Sequence, residues 1–416
     1  SRHVCITDTE SKYPGYHWNC WFQEWKDKDD SKIVGVCEKC MMKFDNVFEY
    51  GFHKQFCLMK NKTGYRNVQC VDKRTCTVIH DLPYLCGVQI DMLKEEAVKM
   101  NTKLLFADFE SSIDEETGVH TMMSYGLFNC YNNQFEIGFD LKEFMEKLCN
   151  LAMRYGNITV YFHNAMKYDA NFIIRNVLSD PAKKKWGISV LLKTSNSMQR
   201  LEFSFQATNG PYKGKTVHIN IGDTIFFLTM SLEAIVASVK SREGNMAHDM
   251  ETFPRFFDVF KRRYPGVSNE QIWKVLKKNI FPYRYFTSSD KLDTPIGNFR
   301  EIFKPAEENL KYFSESVGIE DLEATEALTL EIFDTFKCET ARDYHNVYLM
   351  CDVLELADVF TKSIDTLWDS HHVFLPNYIG MPAATWAAFL RHDPTLRIPL
   401  YTNSIFPEFF ATMARG

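Results

Sequence analysis

The stretch Lys103-Leu104-Leu105-Phe106-Ala107-Asp108-Phe109-Glu110-Ser111 narrows the possible folds of this chain more than any other. Its short apolar run reads as a buried strand and ends in two carboxylates one residue apart. Side chains alternate between the faces of a strand, so Asp108 and Glu110 project from the same one. They offer two hard oxygen ligands side by side at the rim of a sheet. Asp8/Glu10 and Asp114/Glu116 repeat the spacing, but neither follows a buried-strand pattern.

Downstream, strand and helix signals alternate. After a polar turn, the alternating runs at 120–129 and 134–139 read as a hairpin turned by Tyr131-Asn132-Asn133. Leu141, Phe144, Met145, Leu148, Leu151, Ala152 and Tyr155 recur at helical spacing, and Gly156 closes that helix. A second buried strand at 158–162 runs into His163-Asn164-Ala165-Met166-Lys167-Tyr168-Asp169 and then a helix over 170–177. Strands are expected at 188–193, 201–206 and 217–221, and a short helix at 231–239. From 250 to 368 the pattern is mostly helical, with a loop at 282–298 and a long helix beginning near Ala341. Such alternation predicts the α/β class, a mixed sheet flanked by helices.

With 416 residues, 45% of them hydrophobic, the chain has material for two or three domains and a large core. Its longest apolar runs, such as Ile225-Phe226-Phe227-Leu228, are too short to span a bilayer, and no leader pattern is present. The expectation is an intracellular protein, in the nucleus or cytoplasm of a host, taken as a monomer with no membrane partner. Net charge is −6, so a nucleic acid must be met by local basic patches. Lys183-Lys184-Lys185, Lys261-Arg262-Arg263 and Lys277-Lys278 are the candidates, against the plainer reading that each is solvated surface.

Twelve cysteines without a leader point to a reducing compartment and to thiols held by metal. Cys37-Glu38-Lys39-Cys40 is followed after twelve residues by His53 and then by Cys57, with Phe44 and Tyr50 placed to form a miniature core. Four such ligands close a tetrahedral Zn²⁺ site, and so small a unit folds only with its metal. This predicts a zinc-binding N-terminal domain over 1–95. His17, Cys20, Cys70, Cys76, His80 and Cys86 fit no tight ligand spacing and read better as buried side chains.

Asp169 follows a strand, as Asp108 and Glu110 end one, and Tyr348 and Asp352 lie four apart on one face of the late helix. Three or four carboxylates repel one another unless divalent cations sit among them, and all-oxygen ligands suit Mg²⁺ or Mn²⁺. The chemistry of such a pair of ions is phosphodiester hydrolysis.

Together these segments resemble the three motifs of the 3′–5′ exonuclease domain of family B DNA polymerases. D-x-E stands as Asp108-Phe109-Glu110, HN…(F/Y)D as His163, Asn164, Tyr168 and Asp169, and Y-x-x-x-D as Tyr348 and Asp352. The surrounding text is most similar to the protein-primed branch of adenoviruses, related phages and Maverick/Polinton transposons. The resemblance covers roughly residues 15–416 and implies a ribonuclease H-like exonuclease over 100–367. It implies that Asp108 bridges two Mg²⁺ or Mn²⁺ ions, that Glu110 and Asp352 complete the first ion's shell, and that Asp169 holds the second. Tyr348 would orient the attacking water and Lys278, with Lys277 as alternate, would contact the scissile phosphate. Ser111, His163, Asn164 and Tyr168 would grip the 3′-terminal nucleotides of single-stranded DNA. Ser231 and Leu232 fit a further ligand segment; Asp223-Thr224 fits its position about as well.

The polymerase motifs DxxSLYP, K-x-x-x-N-S-x-Y-G and D-T-D do not occur in the 416 residues. Residues 368–416 resemble the segment leading towards a polymerase palm, so the chain is expected to be part of a longer enzyme. Implied partners are single-stranded 3′ ends, primer-template DNA and a terminal protein primer. The competing readings are a catalytically silent module that binds nucleic acid or protein, and a free-standing nuclease.

Overall fold

The computed structural model describes residues 104–113, 119–194, 197–276 and 280–392, together with Tyr50 and six short strands before residue 85. The chain divides into two compact units, residues 1–98 with 386–416, and residues 99–385. In the first, strands pair antiparallel: β1 (Tyr16–Asn19) with β2 (Glu24–Asp27), β3 (Gly35–Val36) with β4 (Lys43–Phe44), and β5 (Arg66–Asp72) with β6 (Thr77–Tyr84). The proposed zinc ligands Cys37, Cys40, His53 and Cys57 lie outside the described residues.

The second unit is mixed α/β. Its strands are β7 (Leu104–Ile113), β8 (His120–Asn129), β9 (Gln134–Gly138), β10 (Ile158–Phe162), β11 (Gly187–Thr194), β12 (Ser197–Gln206) and β13 (Thr216–Asp223). Its principal helices are α1 (Leu141–Tyr155), α2 (Asp169–Ser179), α3 (Leu232–Val239), α4 (Met246–Thr252), α5 (Pro254–Arg263), α6 (Asn269–Val275), α7 (Ile319–Thr335) and α8 (Ala341–His371). Among the described residues the strands form one seven-stranded sheet in the order β11-β12-β13-β10-β7-β8-β9. The neighbours β13, β10 and β7 run parallel at its centre, and the remaining pairs are antiparallel.

Local chemistry sets the ends of these elements. Asp140 accepts from the backbone of Lys142 at 2.6 Å to start α1, and Gly156 ends it at φ 85°, a conformation that glycine adopts without strain. Thr340 and Asp343 make a capping box at the head of α8. Between α6 and α7 the chain departs from expectation. Short 3₁₀ turns at Ser289–Asp293, Arg300–Phe303 and Glu307–Tyr312 carry irregular structure well beyond residue 298. Pro282, Pro295 and Pro305 interrupt any continuous helix there.

Alternation along β7 decides what each face meets. Leu105, Ala107 and Phe109 join a core with Phe144, Leu148 and Ile173 of α1 and α2. Phe106 points the other way and meets Phe360 of α8, with ring centroids 6.2 Å apart, while Tyr161 of β10 meets the same ring at 4.7 Å. Asp108 and Glu110 share the parity of Phe106, so they belong to the face that α8 covers.

Candidate metal centre

The parallel register brings the carboxyl ends of β10 and β13 level with the point on β7 where its parallel pairing stops, just before Asp108. Tyr161 of β10 lies level with Phe106 of β7, and Phe162 lies level with Asp223 of β13. Crevices at such ends are the usual ligand sites of open α/β sheets. Just past Glu110 the pairing of β7 with β8 slips by one residue, a bulge of the kind that re-aims side chains beside functional sites.

There Asp108, Glu110 and Asp352 converge, each offering a carboxylate oxygen within 4.8 Å of the others. Positions separated by more than 240 residues thus meet because α8 lies on the face to which the two strand acids point. Glu110 is buried, while Asp108 and Asp352 keep partial solvent contact. The carboxyl of Asp108 is pushed well above the usual range, first by removal of water, then by the charges of Asp169, Glu110 and Asp352. Asp169 is thus the strongest carboxylate influence on Asp108, although it stands outside the close trio. Burial raises its own carboxyl to about 7 against the opposing pull of its backbone N–H, and Asp223 adds to the rise. Four acids that resist joint ionisation, offering only oxygen, fit hard divalent cations such as Mg²⁺ or Mn²⁺.

Tyr348 lies one turn before Asp352, buried against Phe281 at a centroid distance of 4.3 Å. Its hydroxyl is 2.8 Å from that of Tyr283, a residue the sequence reading missed. Burial raises the pKa of both hydroxyls, with Asp352 the next cause for Tyr348 and Glu110 the next for Tyr283. Both therefore stand as neutral hydroxyls beside the carboxylates. Tyr283 sits in an irregular segment after Pro282, and no periodicity marks it. Beneath them, buried His345 of α8 is hydrogen-bonded to Ser124 of β8 at 2.9 Å, and Ser124 lies level with Glu110. Burial lowers His345 to about 4, so it is a neutral tie between helix and hairpin.

The loop carrying the second motif is shaped from β13. Asp223 accepts the backbone N–H groups of Asn164 at 2.7 Å, Met166 at 2.9 Å and Ile225 at 3.0 Å. Asn164 adopts φ 69°, which asparagine tolerates, and leaves its side chain exposed. His163 commits both ring nitrogens internally, to Thr224 Oγ1 and to the carbonyl of Met230, each at 2.9 Å. That ties the loop to the exposed Ser231, whose side chain caps α3 by accepting from Ala234, and to half-buried Leu232. Asp223 and Thr224 are themselves buried. The Tyr168 hydroxyl is hydrogen-bonded to Ser111 and to His120, another residue that the sequence reading passed over. Lys277 and Lys278 lie outside the described residues.

No family model matches the chain, and no curated protein matches it. Among solved structures it is similar to Phi29 DNA polymerase complexed with primer-template DNA, in a post-translocation binary complex, with TM-score 0.27 and 15% identity. That match covers 43% of this chain and 40% of the other. It is likewise similar to Phi29 DNA polymerase complexed with single-stranded DNA, with TM-score 0.28 and 17% identity, over 59% of this chain and 34% of that one. Among the described residues no helix is long and apolar enough to cross a membrane.

Proposed function

We propose that this chain is a two-metal 3′–5′ exonuclease acting on single-stranded DNA 3′ ends, in the N-terminal part of a protein-primed family B DNA polymerase. The observation that carries the reading is the convergence of Asp108, Glu110 and Asp352 at the carboxyl ends of the central strands, with Asp169 close enough to disturb Asp108. The order of the three sequence motifs supports the family, and the parallel centre flanked by antiparallel strands on both edges suits a ribonuclease H-like class.

Asp108, Glu110, Asp352 and Asp169 would hold the ions, whose chemistry when bound is activation of water and neutralisation of charge at the leaving oxygen. The neutral hydroxyl of Tyr348, steadied by Tyr283, orients water beside Asp352. Asn164, Ser231 and Leu232 would contact the 3′-terminal nucleotides, and Lys278 the scissile phosphate. Primer-template DNA and a terminal protein are the partners of the longer enzyme.

Purified chain with Mn²⁺ or Mg²⁺ is expected to shorten 3′-labelled single strands. Asp108→Ala or Asp352→Ala should slow this by about 10³-fold, or about 4 kcal/mol of barrier. Metal-independent binding with no shortening, by folded protein, would replace this reading with that of a silent binding module. The zinc proposal is separate: Cys37, Cys40, His53 and Cys57 hold one structural Zn²⁺. Elemental analysis should return about one zinc per chain, and none after Cys37→Ser with Cys40→Ser. Undiminished zinc in that variant would refute the assignment.

A further inference from the structure

Three side chains from three elements meet beside the carboxylates without belonging to them. Ser111 lies two residues before the end of the first strand of the hairpin, His120 begins the second, and Tyr168 closes the loop before α2. The Tyr168 hydroxyl is hydrogen-bonded both to Ser111 Oγ and to His120 Nδ1. Its ring stands edge-on to His120 at 5.2 Å and to Phe172 at 5.3 Å. Hairpin register pairs Ile113 with His120, so His120 shares a strand face with Ser111, and both can reach one tyrosine.

Tyr168 lies next to Asp169, and its hydroxyl is held neutral by burial first and then by the charges of Asp169 and Glu110. All three residues of the cluster keep partial solvent contact. A tyrosine whose only polar atom is bonded inside the protein offers a ligand its ring rather than its hydroxyl. Without partners, a ring on a loop residue samples several orientations, and ordering it on binding costs affinity. Two bonds from neighbouring strands of a hairpin remove that cost in advance.

We infer that His120 is a positioning residue: it holds Tyr168 in the orientation in which its ring stacks on the 3′-terminal nucleotide. The inference rests on the exonuclease reading and concerns only how the DNA end is held. His120 acts through Tyr168, to which its Nδ1 is bonded.

The test is binding of a single-stranded oligonucleotide carrying 2-aminopurine at its 3′ terminus to the full chain in EDTA, read by quenching. His120→Ala should weaken binding about tenfold, with a matching rise in KM and little change in kcat in Mn²⁺, as expected for one base stack loosened. Tyr168→Phe, which keeps the ring and loses both bonds, should weaken binding similarly. The double variant should be no worse than either single, because both remove the same bond. His120→Asn, whose amide offers a polar atom near the Nδ1 position, should recover most of the affinity. Should the alanine variant not fold, the asparagine and phenylalanine variants carry the same test. Full additivity of the two losses, or wild-type binding and KM in His120→Ala, overturns the inference while leaving the exonuclease reading intact. Absence of binding and shortening by the wild-type chain would remove both.

Discussion

Asp169 is the residue in which fold and chemistry most directly oppose each other. It is 5% exposed, and its carboxyl is raised to about 7. A carboxyl that holds its proton more tightly in the fold than in the unfolded chain stabilises the fold fully only below its ordinary pKa. That contribution is lost as pH rises through about 7. Metal-free chain should therefore lose thermal stability relative to Asp169→Asn between about pH 5 and about pH 8. Mn²⁺, which favours the ionised form, should raise the melting temperature more at the upper pH than at the lower. Parallel melting curves for the two proteins across that range would show that Asp169 does not titrate in this way. Asp223 has the opposite task. It stays at the heart of the second-motif loop because three backbone N–H groups bond to its oxygens, and removing it would strand the buried N–H of Met166 at a cost of roughly 1–3 kcal/mol. Sequence reading could see that Asp223-Thr224 ends a strand, but not that its carboxylate faces inward to the loop.

At the scale of elements, the centre depends on how closely α8 approaches the hairpin. Gly126 of β8 lies level with Asp108, and a Cβ there would come within 2.9 Å of Val353 Cγ2 and 3.1 Å of Leu349 Cγ. Val353 follows Asp352 directly and is β-branched, so it has little freedom to swing away. Gly126→Ala should lift α8 from the strand, costing about 1–3 kcal/mol of stability and lowering Mn²⁺ affinity at the trio. Isothermal titration beside a thermal melt separates the two effects, and unaltered metal affinity would show that α8 does not shift. The elements themselves were largely legible beforehand. The period of two in the hairpin, the period of 3.6 in α1, and Gly156 marked their places, and the late helix was expected to begin near Ala341. The segment between α6 and α7 was less legible, because spaced prolines and 3₁₀ turns leave no regular period. Tyr283 was hidden there for the same reason.

At the scale of the molecule, a chain of net charge −6 gathers four of its acids at one edge of a sheet. Such a gathering is unfavourable in itself and is compensated by what binds there. The amino-acid sequence by itself determined the α/β class, the parity that sends Asp108 and Glu110 to one face, and the helical spacing that pairs Tyr348 with Asp352. Those are consequences of local periodicity, which any short window of residues contains. Only the tertiary structure decided that α8 covers that same face, that Asp352 arrives within 4.8 Å of the strand acids, and that Tyr283, His120 and Asp223 stand around them. Contacts between distant segments arise from packing of the whole sheet, and no local pattern encodes them.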